Sequence, residues 1–502
     1  MSTKLTDNVQ SYWHKIYQKD QENTLQEDIQ TDVVVAGGGI AGVMSAYFLA
    51  KSGKRVALLE ARELYSGTTG FTTAKLTAQH NLIYDEMINR YGQKTAQQYY
   101  QANMEGIAFV KELANQYGID CDLEEQDAFV FTEQIQHKDK LKKEYDAYQK
   151  LGIEGAFVED LPLDLDISAA VMMRHQAQFH PVKFLQGIVK EIKALGGYVF
   201  EHTPVMDLSV DKQVTCHTDS DYTVTADDVV LATHLPVYEP GKKFYSSHVK
   251  TESSYALAVK SSYEFPEGMY INNDLPKRTL RSIRDNGENY LLVGGESHPT
   301  GDGKSSKERY EQLVKFAESH FGDVEVLNHW SSHDYIAPDR IPFIGQLHED
   351  TDHVYTLTAF GKWGLAAAVT GGKVITDLIQ GDDNPYAALF APNRQINKIT
   401  ETEPKDDNPT ESYDKSSQAS DPKQLSPGMG SIVKIDDKNV AAYKDNNGQL
   451  HLLDTACTHL GCDVAWNDGD KTWDCPCHGS RFAATGEVIE GPAVKDMPTW
   501  KK

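Results

Sequence analysis

Apolar and polar positions change period several times along this chain, and the first change is the most informative. Val33-Val34-Val35 is an uninterrupted β-branched run and predicts a short buried strand. It enters Gly37-Gly38-Gly39-Ile40-Ala41-Gly42, after which the apolar spacing predicts a helix over residues 40–51, closed by Ser52-Gly53. Residues 55–59 predict a second strand that delivers Glu60. Further on, helical spacing covers residues 81–118, 136–151 (strongly charged), 182–195 (opened by His180-Pro181, closed by Gly196-Gly197) and 309–321. Strands are predicted at 122–132, 198–200 and 203–205, and residues 224–233 read as one strand returning to the first sheet. Residues 255–260 and 290–293 predict a second, more antiparallel sheet. A strand at 354–360 feeds Gly361-Lys362-Trp363-Gly364 and an alanine-rich helix over 365–379, so a second glycine turn opens a second helix N-terminus.

The ends of the chain read differently. Residues 1–29 form a polar lead-in with a short helix near 9–17, whose Trp13 and Tyr17 are expected to dock on the body. Residues 384–424 read as a linker, and the stretch 400–409 is too polar to build a core. A flexible segment of that length has a mean reach of roughly 30–40 Å, so the last domain, 425–502, could dock or swing. The body between them is 30–383. No internal repeat is evident.

The first turn carries the clearest chemistry. Gly37, Gly39 and Gly42 match G-x-G-x-x-G between a strand and a helix, and Glu60 follows at the end of the next strand. That order suits a dinucleotide, with its pyrophosphate on the helix N-terminus and a ribose hydroxyl on the acid. The motif does not choose between FAD and NAD. The segment after Glu60, Ala61 to Leu76, is dense in small hydroxyl residues and fits a cofactor-lining turn; Lys75 is either solvated or near the reactive ring.

Composition narrows the partners. The net charge of −25 over 502 residues disfavours nucleic acid and anionic membranes. No apolar run is long enough for a membrane span, and the first thirty or so residues lack an apolar signal core, so a cytoplasmic location is expected. Of six cysteines, Cys121 and Cys216 are isolated and read as plain thiols, whereas Cys457, Cys462, Cys475 and Cys477 crowd near the end. Two loops there read Cys457-Thr458-His459 and Cys475-Pro476-Cys477-His478. One thiolate and one imidazole from each loop suit a [2Fe–2S] centre better than the paired C-x-x-C knuckles of zinc, which is the runner-up. His329 and His333, with Glu325 upstream, hint at a 2-His-1-carboxylate iron site; ordinary histidines are the stronger reading.

With these residues in view, residues 425–502 resemble a Rieske domain of the cytochrome-bc type. The resemblance implies that Cys457 and Cys475 ligate one iron, that His459 and His478 ligate the other, and that Cys462 and Cys477 form a disulfide. Ser480 would hydrogen-bond a cluster sulfide. Phe482 stands where high-potential members carry tyrosine, which implies a lower potential. Residues 30–395 resemble the D-amino-acid oxidase / glycine oxidase class, on the first glycine turn, the 68–76 loop, Pro338-Asp339-Arg340-Ile341-Pro342-Phe343-Ile344-Gly345 and the Phe360–Gly364 turn. The whole chain resembles bacterial fusions of the two.

That implies an α/β fold: a Rossmann-type FAD-binding domain interleaved with an antiparallel-sheet substrate domain, followed by an all-β Rieske domain. Gly37, Gly39, Gly42 and Glu60 would bind the AMP and diphosphate half of FAD, Val205 would flank the adenine, and Gly361, Lys362, Trp363 and Gly364 would cover the flavin. Gly38, Ala41, Ala61, Arg62, Thr68, Thr69, Thr73 and Lys75 complete the expected cofactor-binding set. Arg62 and Arg340 are candidates for a substrate carboxylate or the diphosphate, though either is more often structural. No catalytic residue is named, since many members lack a protein acid or base at the reacting carbon. The activity implied is oxidation of the C–N bond of a small amine or amino acid by hydride transfer to flavin, with electrons relayed through the cluster to an external acceptor. The alternative is a flavin/Rieske carrier supplying a partner oxygenase or reductase.

Overall fold

A computed structural model describes the chain except residues 1–4, 6–8, 17–19, 241–243, 286, 302–304, 397–420 and 502. Among the described residues, five sheets form. The first has six strands in the order Phe343–Gln346, Val354–Thr358, Asp228–Leu231, Val33–Ala36, Val56–Leu59 and Tyr198–Phe200. Five run parallel; Phe343–Gln346 lies antiparallel at the edge. Parallel strands are covered on both faces, which explains why Val33 to Val35 carry no polar interruption. The helices Ile40–Lys51 and Gly364–Gln380 pack together over this sheet; an added Cβ on Gly372 would lie 2.9 Å from the Ser45 nitrogen, so the helices meet backbone to backbone.

Residues 224–233 do not form one strand. Thr223–Ala226 belongs to a four-stranded sheet with Ile29–Gln30, Val214–Thr218 and Val205–Val210, and only Asp228–Leu231 joins the parallel sheet. The N–H groups of Asp227 and Asp228 both donate to the Asp32 carbonyl, which turns the chain from one sheet to the other. Likewise 81–118 is two helices, Tyr84–Tyr91 and Gln93–Gln116, broken at Gly92 with φ +83°.

A nine-stranded, mostly antiparallel sheet forms the second layer, led by the long strands Lys250–Ser261, Val324–Ile336 and Glu288–Pro299. The helix Ser306–Phe321 covers one of its faces with Tyr310, Leu313, Val314, Ala317 and Phe321. In the lead-in, Trp13 is buried on this body; Tyr17 lies outside the described residues.

The expected linker is shorter at its start. Tyr386, Leu389 and Phe390 are buried, Ile396 packs on the core, and the Arg394 guanidinium grips the Asp339 carboxylate with two 2.8 Å hydrogen bonds. Aromatic anchors and a buried ion pair thus tie 384–396 to the body; the polar run expected to be flexible lies within residues 397–420, outside the described residues.

The C-terminal domain has a three-stranded sheet, Met429–Ile435, Lys438–Lys444 and Leu450–Asp454, and a four-stranded one, Ala465–Asn467, Thr472–Asp474, Arg481–Ala483 and Val488–Glu490. Trp473 and Phe482 fill its core beside Cys457 and Cys475. This domain is docked on the body, with its cysteine loops facing the end of the Val324–Ile336 strand.

Candidate active site and cluster centre

The first glycine turn leaves the Val33–Ala36 strand at φ +109° for Gly37, and a Cβ there would lie 2.4 Å from the Ala232 carbonyl oxygen. Gly42 touches the same turn: its added Cβ would fall 1.8 Å from the Gly37 oxygen. The helix Ile40–Lys51 has no acid in its first turn, and its positive end faces the cavity. Glu60 closes the turn from the side, accepting the Gly38 N–H at 2.6 Å and the Arg62 N–H at 2.9 Å. Thr69 accepts the Ile40 N–H at 3.0 Å.

These residues open into one continuous cavity of about 2450 Å³. That is more than the ~300–1,000 Å³ of a common small-molecule pocket, and it leaves room for a dinucleotide and a substrate. Gly37, Gly38, Gly39, Ala41, Glu60, Ala61, Arg62, Thr68, Thr69, Thr73, Lys75, Val205 and Gly361 to Gly364 all line it. Gly42 stands behind the wall, where its lack of a side chain lets the helix approach the strand. Lys75 is interior rather than solvated: its ammonium donates to the Tyr270 carbonyl at 2.6 Å and to the Thr279 hydroxyl. Burial, then the nearby Arg281, pulls its pKa well below the ordinary lysine value. Lys362 sits between Glu252 (3.6 Å) and Asp334 (3.5 Å). Arg340 reaches Glu86 at 3.2 Å from the surface, so it is held at the rim.

His80 stacks on Trp363 with ring centroids 4.8 Å apart. Its Nδ1 meets the Tyr99 hydroxyl at 2.6 Å and its Nε2 the Thr77 carbonyl at 2.8 Å. Burial drives its pKa down to about 3, so the imidazole is neutral, with both nitrogens occupied; it is a wall rather than a base.

At the other centre, two matching loops face each other. Cys457 N–H donates to the Cys462 carbonyl and Gly461 N–H back to Cys457; Cys475 N–H donates to Ser480 and Gly479 N–H back to Cys475. The Cys462–Cys477 disulfide joins the loops. The Sγ atoms of Cys462, Cys475 and Cys477 lie within 4.8 Å of one another, but two of them are spent in that bond, so the thiols left are Cys457 and Cys475. These two are in hydrogen-bonding contact. Their contact pulls the Cys457 pKa down, to about 6, and pushes that of Cys475 up, so the pair gives up one proton easily and holds the second. Two thiolates there need a positive partner, which is the requirement of a metal centre. The His459 and His478 rings stand edge-on at 5.0 Å, so the two loops together offer two thiols and two imidazoles that could hold a metal. That set by itself also suits zinc.

His329 and His333 do not form an iron site. Glu325 is exposed at the far end of the Val324–Ile336 strand, the His329 ring packs on Tyr310 at 4.5 Å, and His333 faces Glu490 of the C-terminal domain at 3.7 Å. Residues i and i+4 share one face of a strand, and this face is the seam between the domains. Across it, Asp470 accepts from Tyr310 at 2.6 Å, from Ser331, and from Arg481 at 2.7 Å, and Arg481 continues to Glu490 at 3.9 Å. Thr68, on the turn after Glu60, donates to the His333 carbonyl at 3.1 Å and reaches Glu490 at 3.4 Å. The Tyr335 hydroxyl donates to the His478 carbonyl, and His478 Nε2 lies 3.0 Å from the Ser246 carbonyl.

A family model described as FAD dependent oxidoreductase matches residues 32–378, and one described as Rieske [2Fe-2S] domain matches residues 417–501. The chain belongs to the FAD-dependent oxidoreductase family, with a Rieske domain fused behind it. This oxidoreductase is 39% identical to the Rieske 2Fe-2S iron-sulfur protein YhfW of Bacillus subtilis, over 97% of each chain. It is 25% identical to the gamma-glutamylputrescine oxidoreductase of Escherichia coli over 77% of this chain and 92% of that one. Its fold is that of glycine oxidase from Geobacillus kaustophilus, with a TM-score of 0.63 at 20% identity over 73% of this chain and all of that one. The cofactors of this oxidoreductase are therefore FAD and a [2Fe–2S] cluster, and the family matches settle what the glycine motif and the donor set left open. The cradle that only glycine fits, and the two thiols beside two imidazoles, both agree.

His80, His234, Ser246, Lys277 and Tyr335 were not marked by any sequence motif. Tyr335 enters on a strand, Ser246 on a short helix, and His80, His234 and Lys277 on connecting segments, placements that no spacing in the chain announces.

Proposed function

We propose that this oxidoreductase oxidises the C–N bond of a small amine or amino acid and passes the electrons through its Rieske centre to an external one-electron acceptor. Gly37 to Gly42 and Glu60 hold the AMP and diphosphate half of FAD. The turn after Glu60 and the Gly361–Gly364 turn line the flavin, and Cys457, Cys475, His459 and His478 ligate the cluster. When bound, FAD supplies a hydride acceptor and the cluster a one-electron carrier. One neutral amine yields an imine, two protons and two electrons, so the external one-electron acceptor is reduced twice per turnover.

The observation that carries this reading is the shared wall: Thr68, on the flavin-side turn, touches Glu490 of the Rieske domain. Relatives named for an amine and for an amino acid support the substrate class. The cavity adds a carboxylate anchor. Lys277 lines it beside the Arg278–Asp285 strand, with Asp274 and Glu252 attracting its ammonium. Its pKa is lowered, by burial first; that cost is offset when an anionic substrate group arrives. His80 and Trp363, stacked on each other, line the same cavity.

The test is anaerobic mixing with matched pairs of amino acids and their decarboxylated amines. The amino acid should bleach the flavin and raise the reduced Rieske EPR signal. Lys277→Met should raise KM roughly 10–100-fold with little change in kcat, the mark of a lost binding contact. Bleaching with an EPR-silent cluster would overturn the relay; equal bleaching by the bare amine would overturn the anchor.

A further inference from the structure

The Rieske loops do not complete their own surroundings. Beside the Ser480 hydroxyl, which contacts Cys457 from within the loops, a second hydroxyl, that of Tyr335, comes from the oxidase body, at the end of the Val324–Ile336 strand. Its ring is buried and rests edge-on against His234 at 4.4 Å. Its hydroxyl donates to the His478 carbonyl and lies within electrostatic reach of Cys457 and Cys475. From the other side, the short helix Phe244–His248 presents the Ser246 carbonyl to His478 Nε2 at 3.0 Å. The imidazole is therefore gripped at its backbone and at its outer ring nitrogen by two separate elements of the oxidase body.

We propose that Tyr335 is a positioning residue of the Rieske centre supplied across the domain seam, holding the His478 loop and raising the potential at which the cluster accepts an electron. An O–H dipole aimed at the ligand loop stabilises the extra negative charge of the reduced cluster, as hydrogen bonds around such centres generally do. The Ser246 carbonyl orients the ring but adds no donor, so of these two body elements it is Tyr335 that adds a hydroxyl to that of Ser480. The centre then accepts an electron readily only in the docked chain. This rests on the cluster serving as the electron carrier of the reading above, but not on the substrate.

The experiment is an EPR-monitored redox titration of the holoenzyme with dithionite and mediators, at equilibrium and without substrate. Tyr335→Phe should lower the cluster midpoint potential and shift its g-values, while iron content, labile sulfide and flavin absorbance stay at wild-type levels. Tyr310→Phe removes another hydrogen bond of the same seam, to Asp470 at 2.6 Å, away from the cysteine loops; it should leave the potential unchanged. An unchanged potential in Tyr335→Phe overturns the proposal. So does an equal drop in both variants, which would assign the effect to docking in general. Loss of iron from Tyr335→Phe overturns it too, because that marks a purely structural role. A failed substrate screen would leave this titration untouched, so the two readings fail separately.

Discussion

The dinucleotide cradle and the domain seam both bury polar groups at a redox site, yet they are assembled in opposite ways. The cradle closes almost within one stretch, where Glu60 holds the Gly38 amide and Gly42 packs on Gly37. The seam joins partners as far apart as Thr68 and Glu490, separated by 422 residues. In the cradle the backbone does the work and the constraint is steric: one methyl group is too many. In the seam the side chains do it, through Asp470, Arg481 and Glu490 packed between Tyr310, Ser331 and His333. A steric constraint is all or none, whereas a buried ion network can be weakened step by step.

The sharpest break is Gly42→Ala. Its Cβ would stand 1.8 Å from the Gly37 oxygen, so the turn must deform. The purified protein should carry no FAD by absorbance, yet keep its Rieske EPR signal; retained flavin at wild-type stoichiometry would show that the cradle is not the rigid element described.

Arg481→Met should come next. It leaves Asp470 buried without its guanidinium partner and removes one of the groups that hold Glu490, a loss of about 3–5 kcal/mol for a broken buried pair. Calorimetry should show an earlier transition for the Rieske domain, with the flavin transition little moved. A single unshifted transition would deny the seam its role.

Acid supplies the mildest test. Burial alone would raise the Glu490 pKa, but His333, Arg481 and His234 around it outweigh that and hold it at about 2. A depressed carboxylate stabilises the fold above its unfolded pKa and loses that contribution as pH falls through the folded value. The seam should therefore weaken between about pH 4.5 and pH 2, by about 3 kcal/mol in total. Glu490→Gln should flatten that dependence in acid-unfolding curves; an identical slope in both proteins would rule Glu490 out.

Much of the cradle was legible in the sequence because each part constrains its neighbour: β-branched strand, glycine turn, helix, strand, acid. The two cysteine–histidine loops were legible for the same reason, and the disulfide between Cys462 and Cys477 is present. The reading was weakest where tertiary hydrogen bonds decide. One stretch, 224–233, became strands in two sheets because Asp32 captures two amides. The start of the supposed linker is body because Arg394 finds Asp339. His329 and His333, which looked like possible metal ligands, face the seam instead.

From its sequence alone, then, this chain announced two cofactors, and the glycine turn and the cysteine–histidine loops proposed to hold them, since close steric packing and metal-ligand chemistry demand particular residue types at fixed spacing. Only the tertiary structure decided that the two sites face each other, with Tyr335 and Ser246 on His478 and Thr68 on Glu490. An ion pair or hydrogen bond between distant segments can be made by many residue types at many positions, so its energy becomes specific only once the strands that carry it have packed.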